Sequence, residues 1–156
     1  MIELTELYRI ARAAETMLAP LANAPPEMLT ATLKPRDGDY EQVFVGHAAQ
    51  AARLGYAGLW ASPPRSLGKR GQIEVHAFAA QADALGTEND FSREFPGGYR
   101  GIASHLQPAN VWLTFKLVEP GSSSGMSYDG LVHLAGRWAW FPKPWRVLSE
   151  TEPTLS

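Results

Sequence analysis

The sequence predicts an α+β fold, in which N-terminal helices pack on a curved antiparallel sheet that ends in a C-terminal β-meander. Two patterns predict it: apolar residues recur at helical spacing near the N-terminus, and β-branched and aromatic residues dominate from Asn110 onward. Helices grouped before an antiparallel sheet are typical of this class. The 156 residues suit one domain, which we expect over 1–149, with 150–156 as a flexible tail.

The helices are predicted from the spacing of apolar residues and from the prolines and capping residues that mark where a helix begins or ends. Apolar residues three or four apart over 4–18 predict an amphipathic helix that ends before Pro20. Prolines within 24–36 leave room for a short helix at most. Asp39 can cap a helix over about 40–54 that frays toward Trp60, and a further short helix is expected over 99–106.

The strands are predicted from alternation. Residues 72–78 form the first, with Ile73, Val75 and Ala77 on one face and Glu74, His76 and Phe78 on the other. The meander consists of strands over 111–119, 126–134 and 137–141. Between the last two strands, Ala135 and Gly136 are predicted to form a two-residue hairpin loop.

This loop sets the predicted register of the last hairpin. Residue 133 then faces 138 and residue 131 faces 140, and directly opposed residues share a face. One face collects Asp129, Leu131, His133, Trp138 and Trp140, and the other collects Tyr128, Val132, Leu134, Ala139 and Phe141. A different loop length would shift this sorting by one residue.

The first of these faces carries the candidate site. Two indoles beside an imidazole and a carboxylate make an apolar wall with few polar groups, as in small-molecule pockets. Asp129 and His133 are the candidate catalytic pair, acting as general acid and base, and Trp138 and Trp140 the candidate ligand-binding wall. The alternative is structural: Asp129 belongs to a turn with Gly130, and His133 is a hydrogen-bonded strand residue.

Composition narrows the function classes. The chain has no cysteine, which excludes disulfides and thiolate chemistry, and its four histidines lack metal-ligand spacing, so we predict no metal and no cofactor. A net charge of −2 argues against nucleic-acid binding. Without a secretory signal or a long apolar run, we expect no membrane association and a cytoplasmic location.

The order of elements, ending in the strand Arg137-Trp138-Ala139-Trp140-Phe141, resembles the nuclear transport factor 2-like (cystatin-like) cone superfamily. The resemblance is architectural. It implies a cavity toward which the strand bearing His76 turns, although a solvated sheet edge also explains that histidine. In isomerase-like members a cavity carboxylate acts as the base opposite hydroxyl donors, which implies Asp129 with Tyr99 or Tyr128 here.

Cone folds of this type host isomerases, dehydratases, ligand carriers and protein-binding modules, so the fold does not select a function. We expect a non-catalytic module whose tryptophan-rich face binds a small apolar ligand or a partner protein, and a homodimer through the sheet is compatible with it. The alternative is an isomerase- or dehydratase-like enzyme that uses Asp129 and His133. The enzyme requires an enclosed cavity that both groups enter, whereas the module allows a filled cone with an exposed apolar patch. A purely structural domain would have neither.

Overall fold

The structure, a computed structural model, describes residues 2–148, so the predicted tail lies outside the described residues. The α+β prediction is confirmed. The helices are α1 (Leu4–Leu18), α2 (Pro26–Leu33), α3 (Asp39–Val43), α4 (Gly46–Ala61), α5 (Gly98–Ile102) and α6 (Pro144–Leu148). The strands are β1 (Glu74–Gln81), β2 (Val111–Val118), β3 (Gly125–Leu134) and β4 (Arg137–Trp140). No helix within 2–148 is both long and apolar enough to cross a membrane.

The predicted helix over 40–54 is wrong in detail, because the chain forms two helices there. α3 ends at Val43, Phe44 is extended, and α4 then runs to Ala61. At this point the extended backbone of Phe44 pairs with Leu106 in an isolated β-bridge, and its buried ring lies edge-on to Trp112 and Phe141. Asp39 does not cap α3 with its side chain, which is used elsewhere.

The four strands form one antiparallel sheet in the order β1-β2-β3-β4. The predicted hairpin register is confirmed, since His133 pairs with Trp138 and Leu131 with Trp140. In β1, Val75 and Ala77 are buried, and Glu74, His76 and Phe78 are exposed, as predicted. Ile73 is exposed and precedes the strand.

A β-bulge interrupts the pairing of β2 with β3. Leu113 pairs with Leu131 and Phe115 with Tyr128, so two residues of β3, Asp129 and Gly130, stand opposite Thr114. The extra residue reverses the alternation of side chains along β3.

The sheet therefore has two faces that differ from the predicted ones. The Trp140 face carries residues that include Leu113, Phe115, Tyr128, Leu131, His133, Trp138 and Trp140. The Trp112 face carries residues that include Phe78, Ala80, Trp112, Thr114, Val132 and Ala139. The predicted sorting is wrong for Tyr128, which joins the Trp140 face, and for Asp129, which leaves it.

Helix α1 lies across the Trp140 face and protects the edge strand β1. Its apolar stripe, including Leu7, Ile10 and Leu18, is buried. The Glu15 carboxylate accepts the Ala77 backbone N–H at 2.9 Å, and Arg12 donates to the Ala77 carbonyl at 3.1 Å. These two bonds occupy edge groups that would otherwise be open to another strand.

A buried ion pair fixes α3 to β4. Arg137 donates two hydrogen bonds to the Asp39 carboxylate, one of them at 2.7 Å, and the Arg36 backbone N–H donates a third at 2.7 Å. Burial alone would raise the pKa of Asp39, but these hydrogen bonds outweigh it and lower the pKa. Asp39 is therefore the carboxylate partner that keeps Arg137 against the Trp112 face.

Replacing Asp39 with asparagine should destabilise the fold by about 2 kcal/mol at neutral pH, because Arg137 loses its charged partner. The folded pKa lies below the ordinary 3.8, so this stabilisation is complete above that value and is lost as pH falls through the folded pKa. Urea unfolding of both proteins at neutral and acidic pH measures it. Asp37→Asn is the control, since the Asp37 side chain is 94% exposed. Equal stability of the Asp39 and Asp37 variants would contradict the assignment.

The bulge geometry predicts that alanine is tolerated less well at Gly130, in β3, than at Gly136, in the hairpin loop that follows. Gly130 and Gly136 both have positive φ, at 88° and 73°. A Cβ on Gly130 would lie 2.1 Å from the Phe141 carbonyl oxygen, whereas one on Gly136 would meet nothing within 4 Å. Gly136→Ala should cost about 1 kcal/mol from backbone strain, and Gly130→Ala at least about 3 kcal/mol from strain and overlap. Similar chemical denaturation midpoints for the two variants would argue against the bulge geometry.

Candidate functional site

The tryptophan-rich face is filled by the protein itself. Trp140 is buried, and its ring lies edge-on to Trp60 with centroids 6.2 Å apart. Its indole N–H donates to the Asp129 backbone carbonyl at 2.8 Å. Tyr128 completes this packing, since its ring stacks on Phe115 at 5.3 Å and lies edge-on to Trp140 at 6.1 Å. Little of the Trp140 ring is left for a ligand to contact.

His133 and Trp138 lie at the hairpin end of the same face, where both are half-buried and their rings are 4.8 Å apart. The pKa of His133 is lowered, first by partial burial and then by the positive charge of Arg9, while Glu6 opposes the shift. Both charged groups that shift this pKa, Arg9 and Glu6, belong to α1. The bulge places Asp129 beneath the other face of the sheet, so the structure does not bring the two predicted catalytic residues together.

Asp129 is buried beneath the opposite face. Its Oδ1 atom accepts a hydrogen bond from the Tyr99 hydroxyl at 2.7 Å and another from the Lys143 backbone N–H at 2.8 Å. Lys143 has a φ of 49°, a strained conformation for a residue with a side chain. Within residues 2–148, no hydrogen bond ends on Oδ2. One carboxylate oxygen is therefore fully used and the other is available.

Tyr99 acts as a fixed donor to this carboxylate. Its side chain is buried, and burial, reinforced by the negative charge of Asp129 and by their hydrogen bond, raises the Tyr99 pKa well above its ordinary value of 10.0. The hydroxyl consequently stays protonated at any physiological pH. Tyr99 positions Asp129 instead of exchanging protons with solvent.

Asp129 lines an open groove of about 570 Å³ on the Trp112 face. The groove lies between strands β1, β2 and β3 on one side and the segments that contain residues 94–96 and 143–145 on the other. Its lining includes Phe78, Glu94, Phe95, Thr114, Lys116, Ser127, Asp129, Lys143 and Trp145. This groove is the candidate functional site.

The floor of the groove is polar and its walls are aromatic. Thr114 and Asp129 are 7% and 5% exposed, so both lie deep, and the Thr114 hydroxyl has no hydrogen-bond partner within 2–148. Phe78 is 44% exposed beside them. Both atoms keep some contact with solvent at the base of the groove, and a few such polar groups between apolar walls are a feature of binding sites.

The wall formed by Trp145 depends on a glycine. The Trp145 ring lies edge-on to Tyr99 at 5.3 Å, and a Cβ on Gly98 would lie 2.4 Å from that ring. Only glycine at position 98 lets the indole close this end of the groove. Because Tyr99 also binds Asp129, the indole and the carboxylate occupy the same end.

His76 is on the Trp112 face but outside the groove. It is exposed, and its Nε2 atom lies 3.5 Å from a carboxylate oxygen of Glu74. It therefore lies near neither His133 nor Asp129 in the contacts that the structure describes. Of the predicted site residues, Asp129 and Tyr128 line the groove, Tyr99 binds the Asp129 carboxylate beneath it, and Trp140 reaches Asp129 through the backbone carbonyl.

A second groove, of about 400 Å³, runs between α1 and β1. Leu4, Tyr8, Phe78 and Phe91 line it, and each is at least 38% exposed. Unlike the first groove, it has no deeply buried polar group in its lining. Phe78 separates the two grooves.

Neither metal-ligating side chains nor similarity to known proteins assigns a function to the described residues. No group of three or more His, Asp or Glu side chains within 2–148 could hold a metal ion. Searches with models of protein families, against curated proteins and against solved structures find no significant match to this chain.

Sequence reasoning missed Thr114, Phe78, Lys143 and Trp145 as site residues. Gly130 inside a predicted strand was the available signal, because an isolated strand glycine often marks a bulge. A bulge there transfers Asp129 to the face of Thr114. The approach of Trp145 from beyond β4 has no comparable local signal.

Removing the Tyr99 hydroxyl should lower the free energy of unfolding more than removing the hydroxyl of an exposed tyrosine does. Tyr99→Phe leaves Oδ1 of Asp129 with the Lys143 N–H alone, so the free energy of unfolding should fall by about 2 kcal/mol. Tyr8→Phe is the control, since Tyr8 is 58% exposed and should change stability by less than about 0.5 kcal/mol. Urea titrations of both variants give the comparison. A Tyr99 variant as stable as the control would show that the hydroxyl does not hold Asp129.

Proposed function

We propose that this chain is a non-catalytic binding module that holds a small ligand in the groove beside Asp129. The observation that carries the proposal is the pair of open acceptors at the base of an aromatic-walled groove, Asp129 Oδ2 and the Thr114 hydroxyl. Ligand pockets combine apolar walls with a few fixed polar groups in this manner. The groove's volume suits a molecule of one or two rings.

The geometry favours binding over catalysis. The enzyme hypothesis needs Asp129 and His133 to reach one substrate, but the two residues lie on opposite faces of the sheet. The hydroxyl nearest to Asp129 is that of Tyr99, whose raised pKa makes it a poor proton shuttle. The groove is also open to solvent, whereas the enzyme hypothesis requires an enclosed cavity.

The order of elements supports a relation to the nuclear transport factor 2-like superfamily, as helices precede a curved antiparallel sheet that ends in a meander. We extend the proposal to that family at the level of architecture. A ligand carrier or an accessory domain of this family would need no catalytic pair. The site proposed here lies on the Trp112 face, because the Trp140 face is occupied by the core.

The test is a screen of small neutral aromatic compounds against ¹⁵N-labelled protein by two-dimensional NMR. Compounds that bind should shift the Trp145 indole and the amides of Thr114 and Lys143. Ser127→Trp places a bulky ring in the groove and should weaken binding at least about tenfold, or 1.4 kcal/mol. Ser124→Trp, at an exposed serine that does not line the groove, should have no effect.

Two results would contradict the proposed function. Shifts confined to Leu4, Tyr8 and Phe91 would place binding in the groove between α1 and β1. Equal affinities of the Ser127 and Ser124 variants would mean that the groove beside Asp129 is not the site. Thermal unfolding of both variants establishes that each is folded before binding is compared.

A further inference from the structure

We infer that the ligand of this groove is an organic cation, a primary or secondary ammonium carried on an aromatic-sized apolar body. This inference rests on the proposed function and adds the chemical class of the ligand. It depends on which polar atoms are deep in the groove, which are at its rim, and what the walls are made of.

The deepest polar atoms of the groove are acceptors. Asp129 is 5% exposed, and both hydrogen bonds to its carboxylate end on Oδ1, which leaves Oδ2 for a donor from the groove. Oδ2 keeps some contact with solvent, and a charged donor binds a carboxylate more strongly than a neutral one does. An ammonium group meets this requirement.

Thr114 supplies the second acceptor. Its hydroxyl has no partner within 2–148, and Thr114 stands directly opposite Asp129 and Gly130 across the bulge. An ammonium has at least two N–H groups, so one nitrogen can donate to Asp129 Oδ2 and to Thr114 Oγ1 together. A neutral hydroxyl ligand has one proton to donate, and it would bind both groups only by accepting the Thr114 O–H as well.

The walls suit the same ligand. Trp145, Phe95 and Phe78 line the groove together with Asp129, and Phe78, on β1, is 44% exposed. Aromatic faces attract cations through their quadrupoles, and the attraction grows when water is excluded. The rings also provide the apolar surface against which the body of the ligand is buried.

Two lysines also line the groove, and neither ammonium is paired with Asp129 in the part of the chain that the structure describes. The Lys116 ammonium donates to the Ser123 carbonyl at 3.3 Å, which holds it toward the loop before β3. Lys143 is exposed and contributes its backbone N–H to Asp129. Glu94, also exposed, adds a second negative charge at the rim. No cation is paired with Asp129 in the described chain, so an incoming ammonium meets no competitor there.

The experiment uses three probes with one phenyl body: 2-phenylethylamine, 2-phenylethanol and 3-phenylpropionate. Titrations by NMR at neutral pH should give the amine an affinity at least about tenfold higher than the alcohol, with the carboxylate weakest. Equal affinities for amine and alcohol, or tightest binding of the carboxylate, would overturn the inference and leave the groove as a binding site. If none of the three probes, and no compound of the neutral screen, shifts the groove residues, the proposed function itself fails.

Asp129→Asn sharpens the test. The asparagine carbonyl can replace Oδ1 as acceptor for Tyr99 and Lys143, which turns the side-chain NH₂ into the groove in place of Oδ2. The affinity for the amine should then fall at least about tenfold, while that for the alcohol stays within about twofold. Asp90→Asn is the control, because it makes the same charge change at an exposed acid that is paired with Arg93 outside this groove.

Thr114→Val is the second variant, since it keeps the shape of the side chain and should reduce amine affinity by about threefold to tenfold. It keeps the inference falsifiable if Asp129→Asn does not fold. An amine affinity that is unchanged in Thr114→Val and in Asp129→Asn, or reduced equally in Asp90→Asn, would overturn the assignment of these two acceptors.

Discussion

The β-bulge at Asp129 and Gly130 is the constraint on which the rest of this structure depends. It makes two residues of β3 stand opposite Thr114, and so places Tyr128 on one face of the sheet and Asp129 beneath the other. Gly130 is required there, because its φ is 88° and the Phe141 carbonyl approaches where a Cβ would be. That approach exists because the Phe141 N–H donates to the Gly130 carbonyl at 2.7 Å.

Asp129 contacts both the core and the groove, because its backbone carbonyl binds a residue of the Trp140 face while its carboxylate lies on the side of the Trp112 face. Its carbonyl accepts the Trp140 indole N–H, and its carboxylate accepts the Tyr99 hydroxyl and the Lys143 N–H. A single residue thus ties together β3, β4, α5 and the segment that leads into α6. Three donors converge on it, so its orientation is fixed before any ligand arrives, and a fixed acceptor costs little entropy on binding.

The sequence predicted the elements well and the site poorly, for one physical reason. Periodicity located α1 and all four strands, and the short loop at Gly136 fixed the register of the last hairpin. The bulge adds one residue to β3, so side chains before Gly130 point to the face opposite to the one that strict alternation predicts. The predicted faces of Tyr128 and Asp129, and with them the pairing of Asp129 with His133, are therefore wrong. Trp145 reaches the groove through tertiary packing on Gly98, which local patterns do not encode.

The groove lies where the helices stop covering the Trp112 face. Toward one end, Ala80, Trp112 and Val132 are buried, and toward the other, His76, Lys116 and Ser127 are polar and more exposed. Thr114 and Asp129 stand at this boundary, buried among apolar neighbours yet open on one side. Thr114 Oγ1 and Asp129 Oδ2 keep some contact with solvent through the groove and have no protein partner within 2–148, so a ligand can bind them without breaking a protein hydrogen bond. The boundary is therefore the part of the sheet best suited to binding.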